Sequence, residues 1–260
     1  MWPLIQAGQG VTPVALLHGF LGRKEDWHPV MATLARRRRC CALDWPGHGE
    51  HRVAVIPSWD AVLAGLDGQR VALGLDRWHL AGYSMGGRLA LHYALAYPDR
   101  VASLTIISAS TGIEEDDARD RRKEQDRVWA DRLRTLPRAT FLRQWYDQPV
   151  FASLACRPEL LETIIHARQS AADPALLAEA LEAWGQGRLP GVRRRLVELR
   201  CPVQLVAGEL DSLYVERAGE LKNLLPGGRV VIVSGAGHVA PLENPEATAE
   251  AIITWTNPGT

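Results

Sequence analysis

Trp78-His79-Leu80-Ala81-Gly82-Tyr83-Ser84-Met85-Gly86-Gly87 is a short, extended run that ends on a serine set between glycines. A Gly-x-Ser-x-Gly pentapeptide between a strand and a helix enforces a tight turn, which strains the serine backbone and lifts its hydroxyl above the sheet. Side chains at Gly82 and Gly86 would collide with the turning backbone and with the helix that follows. That helix is legible: Arg88 to Tyr97 is rich in strong helix formers and stops at Pro98. The Ser84 hydroxyl therefore belongs at a helix N-terminus, where backbone N–H groups and the helix dipole favour developing negative charge.

A serine hydroxyl is a weak nucleophile or base until an imidazole takes its proton, and the imidazole needs a carboxylate to hold its tautomer and orientation. Two later stretches supply these partners in the order acid, then histidine. Gly208-Glu209-Leu210-Asp211 follows the apolar run Val203 to Ala207, and Gly235-Ala236-Gly237-His238 follows Val230 to Val233. Both lie just past the ends of expected strands, where the loops of an open α/β sheet assemble sites. The expected triad is Ser84, Asp211 and His238. Glu209 competes for the role of the acid; Asp211 is preferred because it lies further into the loop.

Working outward, Val14-Ala15-Leu16-Leu17-His18 is an unbroken apolar run of the kind buried on both faces of a parallel sheet. It runs into His18-Gly19-Phe20, whose glycine lets the backbone turn towards the serine. The Phe20 and Met85 N–H groups are then the expected oxyanion hole. A helix is expected over Trp27 to Leu34, a strand over Arg39 to Leu43, a helix over Ser58 to Leu73 with Ser58 as its cap, and a buried strand over Val101 to Ser108. Asp44-Trp45-Pro46-Gly47-His48-Gly49 reads as a turn in which Asp44 and His48 hold loops near the site. The alternation of strand and helix predicts an α/β fold around a mostly parallel central sheet flanked by helices.

From about residue 109 to residue 199 no comparable strand appears, and the segment is helical in period and rich in Arg, Glu, Ala and Leu. Helices are expected over Glu114 to Leu136, Thr140 to Tyr146, Pro158 to Gln169 and Pro174 to Trp184. The domain reading is thus a core of residues 1–108 and 200–260 carrying a helical lid at 109–199, inserted after the strand that follows the nucleophile helix. Beyond the lid come the strand over Val203 to Gly208, a helix over Tyr214 to Leu225, the strand over Arg229 to Val233, and a last helix from Asn244 to Trp255. Within the lid, Trp145-Tyr146-Asp147-Gln148-Pro149-Val150-Phe151 offers flat aromatic contact. Its many arginines, from Arg119 to Arg134 with Arg168 further on, mostly pair along the surface, yet together they suit a carboxylate ligand better than an apolar acyl chain.

Composition narrows the function classes. Of 260 residues, 47% are hydrophobic, enough for a sizeable core, and the formal net charge is zero, so no overall field recruits nucleic acid or an acidic membrane. Arg36 to Arg39 reads as a solvated surface run. Cys40, Cys41, Cys156 and Cys201 form no metal-ligand spacing, which fits a reducing compartment, and no apolar run approaches the roughly 18 residues of a membrane span. The expectation is a cytoplasmic protein, monomeric or weakly homo-oligomeric, with a small anionic substrate and with no cofactor, metal, nucleic-acid or membrane partner.

With these residues in place, the chain resembles α/β-hydrolase fold proteins over nearly its full length. Within that superfamily it is most similar to 2-succinyl-6-hydroxy-2,4-cyclohexadiene-1-carboxylate (SHCHC) synthases, lyases of menaquinone biosynthesis. The stretches around His18, Asp44 and Ser84 identify only the superfamily. More specific are Trp145-Tyr146-Asp147-Gln148-Pro149-Val150-Phe151, which resembles that family's Trp-Tyr-x-Gln-Pro-x-Phe motif, and Arg88 directly after the elbow glycines. The chain departs from the family at Asp173-Pro174-Ala175-Leu176, where members often have Asn-Pro-x-Gly-Leu, and at Trp184-Gly185-Gln186-Gly187, where they have Gly-Thr-Gly.

The resemblance implies that Arg88, Arg122 and Arg168 clamp substrate carboxylates. It implies further that Trp145, Tyr146 and Phe151, with His18 and Tyr83, contact the substrate. The implied reaction removes a ring proton and eliminates pyruvate from 2-succinyl-5-enolpyruvyl-6-hydroxy-3-cyclohexene-1-carboxylate, with Ser84 as the base. Two alternatives stay open on the residues alone: a serine hydrolase, either an esterase or a carbon–carbon bond hydrolase, and a non-catalytic protein that keeps the fold as a ligand pocket.

Overall fold

The computed structural model describes residues 1–170, 172–225 and 227–256. Residues 171, 226 and 257–260, which fall within the ranges assigned above to lid and core, lie outside the described residues. Among the described residues seven strands form one sheet in the order β1-β3-β2-β4-β5-β6-β7. They are β1 (Leu4–Ala7), β2 (Val14–Leu17), β3 (Cys40–Leu43), β4 (Trp78–Tyr83), β5 (Val101–Ile107), β6 (Val203–Gly208) and β7 (Arg229–Val233). All neighbours pair in parallel except β1, which runs antiparallel to β3 with Leu4 opposite Leu43. The sequence reading has no counterpart for β1, a four-residue, partly exposed edge strand.

Alternation along the strands sorts the core into two layers. Val14, Leu16, Cys40, Ala42, Ala81, Ile107 and Val206 face α1 (His28–Leu34) and α10 (Pro245–Trp255), meeting Val30, Leu34, Ile252 and Ile253. Ala15, Leu17, Cys41, Leu43, Leu80, Leu104 and Leu205 face the other way, onto Leu66 of α2 (Trp59–Ala72), Leu89 and Tyr93 of α3 (Met85–Ala96) and Leu221 of α8 (Ser212–Lys222). Caps mark the ends as the sequence suggests. Ser58 accepts from the Ala61 N–H (3.3 Å), and Asn244 accepts from the Ala247 N–H (3.1 Å) with Pro245 at the first helical position.

Between β5 and β6 the chain leaves the sheet for α4 (Asp116–Thr135), α5 (Arg138–Tyr146), α6 (Pro158–Arg168) and α7 (Pro174–Trp184). These helices share their own apolar cluster, with Leu133, Phe141, Leu142, Ile164, Ile165 and Leu177 at its centre, and reach the core through Leu21 and Val239. The charged face of α4 is satisfied within itself and by α7: Arg127 pairs with Glu124 and Asp131, and Arg134 with Asp131 and Glu182. No helix among the described residues is long and apolar enough to cross a membrane. A short α9 (Ala240–Glu243) precedes α10.

Parallel strands put all their C-terminal ends on one side, so the residues after β2, β4, β6 and β7 converge there. The strand order reverses between β2 and β4, and the crevice opened at such a switch point is where ligands of open α/β sheets bind. Gly19 and Ser84 meet across it. A Cβ on Gly19 would lie 3.3 Å from that of Ser84.

Candidate active site

Ser84 has φ +52° and ψ −115°, a left-handed conformation that costs a non-glycine residue roughly 1–3 kcal/mol and persists only where its surroundings enforce it. Here they do. The Ser84 N–H donates to the Ile107 carbonyl (2.9 Å), and its own carbonyl accepts from the Arg88 N–H (3.1 Å), starting α3. The flanking glycines allow the close approach: a Cβ on Gly82 would strike the Gly86 carbonyl, and one on Gly86 would strike the Leu17 and His18 carbonyls.

Behind the serine, the His238 Nδ1–H donates to Asp211 Oδ2 (2.7 Å), both side chains being buried. That bond fixes the tautomer and leaves the Nε2 lone pair for proton transfer. Glu209 points elsewhere, accepting from the Ser234 hydroxyl (3.0 Å) and the Gly235 N–H (2.8 Å), so its carboxylate is occupied in holding the loop. The imidazole is walled by the rings of Tyr214 (4.8 Å between centroids), Tyr83 (5.5 Å) and Phe151 (5.6 Å). Glu243 brackets it through the backbone, accepting from the Gly237 N–H (2.9 Å) and the Val239 N–H (3.0 Å). Arg157, from the insert, crosses to the same loop and donates to the carbonyls of Gly235 (2.5 Å) and Glu243 (2.6 Å).

Ser84 and His238 open onto a cavity of about 710 Å³, with Trp129, Trp145 and Phe151 on its walls and Arg122 among its charged groups. Among the described residues the N–H groups of Phe20 and Met85 donate to no protein acceptor, as an oxyanion hole requires. Asp44 and His48 do the loop work read from the sequence. The Asp44 carboxylate accepts from the Lys24 backbone N–H, the Lys24 ammonium (3.0 Å) and the Glu50 N–H (2.9 Å), and the His48 ring stacks on Trp45.

The family model described as alpha/beta hydrolase fold matches residues 12–245. The chain belongs to the α/β-hydrolase fold family. Within it, the chain is 32% identical over 259 residues to the SHCHC synthase of Serratia proteamaculans (strain 568), covering 98% of each protein. It is 33% identical over 242 residues to that of Pectobacterium atrosepticum, covering 92% of this chain and 91% of the other. These relatives make it a member of the SHCHC synthase family. The solved structure of MenH from S. aureus superposes with TM-score 0.91 at 28% identity, covering 98% of this chain and 97% of that one. A thermophilic esterase from Thermogutta terrifontis superposes with TM-score 0.85 at 27% identity, over 97% of this chain and 92% of that one.

Not every residue that the family resemblance singles out lies on the cavity wall. Arg122, Trp145 and Phe151 do. Arg88 lies behind it, 3% exposed, donating from Nη2 to the Trp184 carbonyl (2.9 Å) and leaving Nη1 without a partner among the described residues. Burial, reinforced by the nearby charge of Arg122, pushes the Arg88 pKa down to about 10.

Arg168 is buried and turned towards Asp26 (2.6 Å) rather than into the cavity; burial opposes its charge, but Asp26 together with Tyr146 and Tyr83 outweighs that cost and leaves its pKa raised. Tyr146 is 7% exposed and packs on Phe151 beneath the wall. Tyr83 reaches the site through its ring contact with His238 rather than through the cavity. His18 is 1% exposed, takes a hydrogen bond from Trp45 Nε1 (3.0 Å) and packs beside His48, so it supports the His18-Gly19-Phe20 turn from below. Tyr214, Glu243 and Arg157 have no place in the sequence reading, because their roles depend on contacts between distant segments.

Proposed function

We propose that this protein is a lyase that eliminates pyruvate from 2-succinyl-5-enolpyruvyl-6-hydroxy-3-cyclohexene-1-carboxylate to give SHCHC in menaquinone biosynthesis. The observation that carries the reading is one cavity holding Ser84, His238, Arg122, Trp145 and Phe151 in a chain whose full-length relatives are SHCHC synthases. A serine–imidazole pair supplies a base, an arginine supplies carboxylate recognition, and aromatic walls limit water around the ring.

In this reading His238 Nε2 takes the Ser84 proton, with Asp211 stabilising the imidazolium, and Ser84 Oγ removes a ring proton. Ser84 and His238 face one cavity, and a serine–imidazole hydrogen bond is of the kind that closes once substrate is seated. The C–H electron pair moves onto the adjacent succinyl carbonyl, whose oxygen is held by the Phe20 and Met85 N–H groups. The pair then returns to form a ring double bond at C2–C3, the C3=C4 pair shifts to C4–C5, and the C–O bond to the enolpyruvyl group breaks. The departing enolate takes up a proton and leaves as pyruvate. Arg122, which lines the cavity, orients a carboxylate so that the proton faces Ser84, with the buried charge of Arg88 behind the wall. We place the reaction in the cytoplasm, in keeping with four unpaired cysteines among the described residues.

A second reading, a serine esterase, is favoured by one observation, the likeness to the Thermogutta terrifontis esterase. The two are separated by offering the purified protein the enolpyruvyl cyclohexene substrate and simple aryl esters in parallel. The lyase reading expects kcat/KM for pyruvate release to exceed that for ester cleavage by orders of magnitude, with Arg122→Ala reducing the former. Ester cleavage through Ser84 without pyruvate release would establish the esterase instead.

A further inference from the structure

The charges on the cavity wall are mostly committed to one another. Arg122 pairs with Asp126 (2.8 Å), and Arg193 pairs with Glu220 (3.2 Å) while its backbone N–H donates to Glu114 (2.9 Å). Arg217, on α8, also lines the cavity, is half-buried, and has no ion-pair or hydrogen-bond partner among the described residues. Glu220, one turn further along the same helix, is turned to Arg193 instead. The Arg217 guanidinium lies 5.1 Å over the Tyr214 ring, and that ring packs 4.8 Å from the ring of His238. An aromatic face thus holds the cation against the cavity, two ring contacts from the catalytic imidazole, with its hydrogen-bonding edge unengaged.

A partly desolvated guanidinium with no counter-ion is poorly compensated, and a bidentate carboxylate is the ligand that best satisfies it. We propose that Arg217 is a substrate-binding residue that holds a peripheral carboxylate, one borne on an arm away from the reacting ring. This deepens the lyase reading and rests on it for the identity of the ligand. Arg122 grips the substrate from the insert and Arg217 from the sheet domain, so the ring is held between them above Ser84.

The test separates binding from turnover. Calorimetric titration of the tricarboxylate substrate into Ser84→Ala protein reads affinity without reaction, and the same titration is made with R217Q and R217K added to that background. The fully esterified, uncharged substrate serves as the control ligand, and wild-type pyruvate release is measured alongside. The proposal expects Kd to weaken about tenfold or more with R217Q, to recover in part with R217K, and to be unchanged for the uncharged ester. Equal Kd with and without R217Q overturns it, and pyruvate release by the wild type then leaves the lyase reading standing. A charge-dependent loss of binding without wild-type pyruvate release overturns the lyase reading and keeps Arg217 as a carboxylate anchor. No binding to the Ser84→Ala protein overturns the proposal, and if the wild type also releases no pyruvate the lyase reading falls with it.

Discussion

Replacing Glu243 by glutamine tests whether His238, the proposed proton acceptor, is held by backbone clamping or only by Asp211. The buried carboxylate takes one N–H on each side of His238, at 2.9 and 3.0 Å. The amide keeps one acceptor oxygen but turns an NH2 group towards the other backbone donor. One charge-assisted bond, worth about 1.5–3 kcal/mol, is lost, and a buried N–H is left unsatisfied. A stability loss of about 2–3 kcal/mol is therefore expected in urea denaturation, with the slope unchanged. Catalysis suffers separately, because a displacement of the imidazole of the order of 1 Å costs up to about 100-fold in rate. Pyruvate release by E243Q should show kcat down at least tenfold with KM within about twofold, since Glu243 does not itself line the cavity. Wild-type stability together with wild-type kcat would refute the clamping argument.

Gly86→Ala drives a methyl into the Leu17 and His18 carbonyls, neither of which can yield without moving β2 or the oxyanion turn. It should cost at least about 1–3 kcal/mol of stability and abolish labelling of Ser84 by a fluorophosphonate, whereas wild-type labelling would contradict the elbow geometry. Five histidines make stability pH-dependent, and burial is what chiefly holds His18 and His51 down. Burial, with repulsion from His18, holds His48 down to about 3, and burial with nearby arginines holds His79 and His92 at about 4, against an ordinary value of 6.5. Because the unfolded chain binds these protons first, their contribution is complete above about pH 6.5 and is lost as the pH falls towards 4. The urea midpoint should be level between about pH 7 and pH 8 and drop across that window; a midpoint that stays level down to pH 4 would contradict it.

The elbow, the acid and the histidine are legible in the chain because each depends on a few adjacent residues at the end of an apolar strand. Asp211 lies further into the loop than Glu209, and the structure has Asp211 against His238 and Glu209 on Ser234 and Gly235. Helix extents in the insert came close, Glu114 to Leu136 against Asp116–Thr135 for α4, because fraying shifts helix ends by a residue or two.

What local pattern does not carry is direction. Nothing near Arg168 in the sequence says that it turns to Asp26, 142 residues away, or that Arg88 ends against the Trp184 carbonyl. The β1 edge escapes for another reason. Its four residues, with a partly exposed burial pattern, offer too short an alternation to stand out, and its partner β3 lies more than thirty residues on. Arg157 and Glu243 are invisible for the same cause as Arg168, since each acts on backbone that only the folded sheet brings near.

The measurement that tests the central claim most directly is pyruvate release from the enolpyruvyl cyclohexene substrate by wild-type protein and by Ser84→Ala protein at equal concentration. The account predicts release well above the spontaneous rate for the wild type and at least about a thousandfold less for Ser84→Ala, as removal of a catalytic-triad hydroxyl does. Release by Ser84→Ala at the wild-type rate would contradict a mechanism in which that hydroxyl is the base.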